Sequence, residues 1–236
     1  MNAPLPGKIT RAAAAHAYED VARISNEVAG RLAARLAAET TGEVLFSAAD
    51  KGRYATDASI YQMVPTGVFV PRSMPEVRTA IDICRDLGVS IVPRGGGTSQ
   101  CGQTVGAGLV IDHSKHLRNI ISLDLANRTV EVEPGMVLDH LNAALKKHGL
   151  WYPVDVSTSA QATLGGMAGN NSCGSRSIAY GNMVHNVLGA QAWTSDGSLL
   201  ELGPYAPAAA PRVRGATTFA PWRLSLSPRS ARAGPR

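Results

Sequence analysis

The sequence predicts an α+β fold carried on a mixed sheet. Three observations point there. Residues 68–92 read as a strand, a helix and a strand; residues 129–133 alternate and can pair with 120–123; and residues 17–39 and 137–148 carry apolar residues at helical spacing. A chain of 236 residues allows one large domain or two small ones with a sizeable core. Its 44% hydrophobic content excludes a disordered chain. No apolar run approaches the roughly 18 residues of a membrane span. The N-terminus also lacks the continuous apolar core of a secretory signal.

Taken in order, Val21, Ile24, Val28, Leu32 and Leu36 recur every three or four residues and predict a helix over 17–39. Residues 43–65 have mixed polarity and read as a surface arm packed by its tyrosines. Val68-Phe-Val70 is a short buried strand stopped by Pro71. Ser73 and Glu76 have capping-box spacing ahead of a helix at 74–87, and Gly88 closes it. Val89 to Val92, Leu109 to Asp112 and Ile120 to Leu123 read as strands. Pro134-Gly135 breaks the sheet before the helix that ends at His148-Gly149. Val187 to Trp193 and Leu199 to Leu202 form a hairpin around Ser195-Asp196-Gly197.

Charge is unevenly placed. The chain has 23 basic and 18 acidic residues, a formal +5. Six arginines and no acid lie in 204–236, which leaves 17 basic against 18 acidic residues in 1–203. The body therefore carries no electrostatic footprint for nucleic acid. Six prolines punctuate 204–236, so no strand or helix is expected there. That segment reads as a basic Pro/Arg-rich tail, either disordered or the product of a shifted reading frame. The expected division is 1–63 as a helix and arm, 64–203 as a partial binding domain, and 204–236 as tail. Cys84, Cys101 and Cys173 are odd in number and form no CxxC pair, which favours reduced thiols over a disulfide framework or a zinc site. No metal site is expected.

Two motifs can carry chemistry. The first follows a buried strand: Pro93, Arg94, Gly95, Gly96, Gly97, Thr98, Ser99, then Gln103. Three consecutive glycines let backbone N–H groups converge as an anion-binding nest, which suits a pyrophosphate. The other reading is a flexible surface turn. Neither a GxxxxGK[ST] loop nor a GxGxxG turn opening a helix fits. The second motif runs from Asp155 through Thr163, Leu164, Gly165, Gly166 and Asn170 to Gly174. Thr163 is a good N-cap, and Gly165-Gly166 place bare backbone at a helix start, where a phosphate is favoured.

Val92-Pro-Arg-Gly-Gly-Gly-Thr-Ser99 and Ala162-Thr-Leu-Gly-Gly-Met-Ala-Gly-Asn-Asn171 resemble the two FAD-contacting segments of the vanillyl-alcohol oxidase/p-cresol methylhydroxylase (PCMH) type flavoproteins. The D-lactate/glycolate dehydrogenase-like branch is most similar. The resemblance covers roughly residues 45–203. It implies a PCMH-type FAD-binding domain of two small α+β subdomains, incomplete here and without the substrate or cap domain. It further implies that Arg94 to Ser99 cradle the FAD pyrophosphate, with Thr163, Gly165, Gly166 and Asn170 beside it toward the ribityl chain. Gly97, Thr98 and Ser99 stand where some members carry a flavin-linked histidine, so the FAD is expected to be non-covalent.

The implied activity is a dehydrogenase of D-2-hydroxy acids, with hydride passing from the substrate α-carbon to flavin N5 and electrons leaving to an acceptor. The alternative is a flavin-binding fragment without turnover. The catalytic residues and the substrate site are expected in a later half. A cytoplasmic location, with peripheral contact at the inner membrane as a variant, completes the expectation.

Overall fold

Among the described residues two larger sheets and one two-stranded pair form, and the glycine-rich loop leaves the edge of the first sheet. The computed structural model describes residues 24–203, 216–217 and 222–228. Helix α1 spans Asn26–Glu39, later than expected, because the Ser25 hydroxyl caps it by accepting the Val28 amide at 3.2 Å. The remainder of the expected helix, 17–23, lies outside the described residues.

The arm at 43–65 is not a separate surface feature. It contains strand β1 (Glu43–Leu45) and helix α2 (Ala48–Arg53), and β1 pairs antiparallel with β2 (Gly67–Val70). Helix α3 (Met74–Leu87), strand β3 (Ile91–Arg94) and strand β4 (Leu109–Asp112) follow. The sheet order is β1-β2-β4-β3, with β2–β4 and β4–β3 parallel. Strands β2 and β4 are buried throughout, which is why they read as apolar runs without alternation.

Leu32 and Leu36 of α1 share one core with Phe69, Ala80 and Ile83. The segments on either side of the boundary expected at residues 63–64 thus pack on one core; a three-residue strand is too short to show a period, so the arm read as loop. Helix α3 buries Val77, Ala80, Ile81 and Cys84 on one face and ends at Gly88 with φ 66°. The expected capping box is absent, since the Ser73 side chain makes no cap bond. Glu76 instead accepts the amides of Arg72 at 2.7 Å and Thr41 at 2.8 Å, tying α3 to the end of α1.

The second unit contains β5 (Ile120–Asp124), β6 (Thr129–Val132), α4 (Leu138–Leu145), a short 3-10 turn at Lys146–His148, and β7 (Leu150–Trp151). Three short helices follow: α5 (Leu164–Gly169), α6 (Ser177–Tyr180) and α7 (Met183–Asn186). Strands β8 (Val187–Thr194) and β9 (Leu199–Leu202) make the expected hairpin. Beyond them come β10 (Ala216–Thr217), β11 (Trp222–Ser225) and β12 (Ser227–Pro228). The order is β10-β8-β11-β6-β5, with β9 also on β8.

Strand β11 corrects the expectation that 204–236 forms no regular structure. It lies between β8 and β6, antiparallel to both, and Trp222, Leu224 and Leu226 enter the core around Val130, Val132 and Leu141. Pro221 and Pro228 flank this alternation instead of interrupting it, and Arg223 points to solvent. Among the described residues no helix is long and apolar enough to cross a membrane.

Candidate functional site

The glycine loop begins where β3, an edge strand, runs out. Pro93 is tolerated there because one side of an edge strand lacks a pairing partner; it is exposed, in register with Ile111. Arg94 does not reach outward. Its guanidinium donates to the Thr104 carbonyl at 3.1 Å and the Thr56 carbonyl at 2.8 Å, so it closes the loop from beneath. Gly97 lies on that guanidinium at φ 65°, where a Cβ would stand 2.5 Å from Arg94 Nη2. Among the described residues, no protein acceptor takes the amide protons of Gly96, Gly97 and Thr98.

The second motif meets this loop closely. A Cβ on Gly95 would overlap the Thr163 hydroxyl, and one on Gly96 would overlap the Gln161 carbonyl. One on Gly166 would stand 3.2 Å from the same hydroxyl. Thr163 is 2% exposed, and its Oγ1 has no hydrogen-bond partner. A buried hydroxyl left so costs about 1–3 kcal/mol, which a ligand acceptor would recover. Gln103 Nε2 donates to Asn170 Oδ1 at 3.3 Å, a second junction between the motifs, and the Ser99 hydroxyl meets Gln103 Oε1.

Several expected residues act differently. The amides of Leu164 and Gly165 are already taken, by the Met136 carbonyl at 2.8 Å and the Pro134 carbonyl at 2.9 Å. Gly165 is glycine because a Cβ would stand 2.8 Å from the Pro134 ring. Helix α5 is only six residues long; Thr163 occupies its N-cap position as expected but makes no side-chain cap bond, and two of its first-turn amides are taken. The Leu164 side chain is fully buried in the core. Asp155 and Gly174 form a unit of their own: the carboxylate accepts from the Ser175 hydroxyl at 2.9 Å and the Arg176 amide at 3.1 Å, with Gly174 packed against the Asp155 backbone.

The sequence reading missed the support behind the loop. The Tyr54 hydroxyl donates to Asp112 Oδ2 at 2.6 Å, and the Tyr54 ring lies 5.7 Å from the Arg94 guanidinium carbon. Burial first, then the Asp112 carboxylate, push the Tyr54 phenol well above its usual range, so it remains a donor. The Ala58 amide donates to the Gly97 carbonyl at 3.1 Å, and the Thr104 hydroxyl to Asp57 Oδ2 at 3.0 Å. No local signal marks these residues, because each acts across the sheet.

A cavity of about 700 Å³ opens beyond α5, lined by Ala168, Asn171, Val184, Leu188 and Trp222 among others. Its volume lies in the range of small-molecule pockets. The arrangement as a whole can hold an anionic group over free amides and a hydroxyl.

The family described as "FAD binding domain" matches residues 65–203. D-2-hydroxyglutarate dehydrogenase of Pantoea ananatis (strain AJ13355) is 38% identical over 167 residues, 70% of this chain and 16% of that protein. Glycolate oxidase subunit GlcD of Bacillus subtilis (strain 168) is 35% identical over 170 residues, 70% of this chain and 36% of that protein. The chain thus spans well under half the length of these relatives. Among solved structures, an alkyldihydroxyacetonephosphate synthase aligns with a TM-score of 0.73 at 18% identity, over 84% of this chain and 44% of that one. Wild-type BBE-like 1 of Physcomitrella patens aligns with a TM-score of 0.67 at 20% identity, over 83% of this chain and 44% of that one. These two likenesses show the fold. The matched residues make up more than half of the chain, which belongs to the FAD binding domain family and has FAD as its cofactor.

Proposed function

We propose that this chain holds FAD non-covalently for a dehydrogenase of 2-hydroxy acids, with the pyrophosphate on the loop Arg94 to Ser99. The observation that carries the cofactor placement is the buried, partnerless Thr163 hydroxyl facing Gly95 and Gly166. Beside it lie free loop amides, so an oxygen-rich anion fits the donors present. Arg94 adds positive potential from beneath the loop while its hydrogen bonds fix loop shape. Gln103 and Asn170 hold the second motif against the first. Asp155 and Gly174 shape the chain beyond α5.

When bound, FAD supplies the two-electron redox chemistry, and the protein's task is to bind and orient it. Substrate class rests on the relatives named D-2-hydroxyglutarate dehydrogenase and glycolate oxidase subunit. Electrons then pass to a separate acceptor. Three unpaired cysteines, two of them exposed, favour a reducing compartment such as the cytoplasm.

The test has two parts. FAD added to the purified chain should give a bound-flavin absorbance spectrum with a shifted, structured band. D-2-hydroxyglutarate, D-lactate and glycolate should then be offered with an artificial electron acceptor. Flavin uptake supports the cofactor placement, turnover of one acid supports the activity as well, and no uptake overturns the proposal.

A further inference from the structure

The residues that brace the glycine loop lie at 54–58, ahead of the family match that begins at residue 65. Their contacts form one chain of support. Asp112 is 4% exposed at the end of β4, and it holds the Tyr54 hydroxyl at 2.6 Å. Tyr54 sets its ring under the Arg94 guanidinium. Arg94 then forks between the Thr56 and Thr104 carbonyls, one on each side of the loop. Ala58 and Asp57 complete it through Gly97 and Thr104. A loop of three glycines has the largest backbone entropy to lose on binding, so pre-ordering it should contribute directly to affinity.

We propose that Tyr54 is a positioning residue for the cofactor: anchored on Asp112, it fixes Arg94, and Arg94 with Ala58 sets the curvature that turns the loop amides toward the pyrophosphate. This rests on the FAD placement proposed above. The three elements joined (the arm, β4 and the loop) share no local sequence pattern, so only the folded chain brings them together.

Two variants of the full chain test it. Tyr54→Phe keeps the ring under Arg94 and removes one hydrogen bond to a carboxylate; Arg94→Lys keeps the charge and removes the fork. FAD affinity is read by flavin fluorescence. Hydrogen exchange of peptides covering 54–63 and of peptides covering β5 and β6 is followed in the cofactor-free chain. Each variant is expected to bind FAD roughly tenfold more weakly, with faster exchange confined to 54–63. Wild type that binds FAD beside a Tyr54→Phe chain of equal affinity overturns the brace alone. Exchange that speeds equally in β5 and β6 also overturns it, because the residue is then a general part of the fold. Wild type that takes up no FAD overturns the cofactor placement itself.

Discussion

At the scale of single residues, glycines of the two motifs answer to different demands. Gly97 needs a positive φ, Gly95 leaves room for the Thr163 hydroxyl, and Gly165 leaves room for Pro134. Sequence alone reads the first group as a nest or a flexible turn and the second as bare backbone at a helix start, without telling these demands apart. His113 shows a second residue-scale effect. It is 4% exposed at the base of the loop, and its amide donates to the Arg94 carbonyl at 2.9 Å. Burial lowers its pKa from 6.5 to about 4, and the neighbouring Asp112 opposes this only in part. The unfolded chain therefore takes up that proton near 6.5 and the folded chain only near 4. The contribution is full above the higher value and declines as pH falls toward the lower one, by at most about 1.4 kcal/mol per pH unit. Carboxylates held low act in a more acidic range: Glu43 beside His116 and Lys115, and Asp196 at about 2 through the Thr194 hydroxyl. Urea midpoints of His113→Gln measured across this range should show a flatter slope between pH 6.5 and 4 than wild type, with the steeper loss at lower pH retained. Equal slopes would contradict the buried neutral imidazole.

Elements with enough length or a clean period could be read in advance. Helix α3 is found where its apolar spacing and Gly88 put it, and so are β4, the β5–β6 pair and the β8–β9 hairpin. What could not be read depends on partners far along the chain. Strand β1 has three residues and gains its identity only from β2. The brace at Tyr54 exists only because β4 brings Asp112 beneath it. Strand β11 was missed for a different reason. Its prolines and arginines dominate the composition, while its signal is a brief alternation of Trp222, Leu224 and Leu226 between Pro221 and Pro228. Leu224 is fully buried, so Leu224→Ala should cost about 2–5 kcal/mol in denaturant unfolding. Arg223→Ala, on the exposed face of the same strand, should change stability by no more than roughly 0.5 kcal/mol. Equal small effects would place this segment outside the sheet.

At the scale of the molecule, the site is a junction of two sheets. The loop belongs to the β1-β2-β4-β3 sheet, and the segment from Gln161 to Asn170 belongs to the unit built on β5, β6, β8 and β11. They meet through Gly95 against Thr163, Gly96 against Gln161, and Gln103 against Asn170. Binding at such a seam couples cofactor affinity to the packing of both units. Both motifs were visible as glycine-rich segments, but not which of their amides stay free, since the Met136 and Pro134 carbonyls that occupy Leu164 and Gly165 come from a third segment.

The most direct measurement is FAD titration of Thr163→Val beside wild type, with thermal melting of both cofactor-free chains. The substitution keeps the shape and removes only the partnerless hydroxyl. FAD affinity should fall by about tenfold or more, while the melting temperature stays level or rises, because a buried group without a partner is gone. A Thr163→Val chain that binds FAD as wild type does and melts lower would contradict the account.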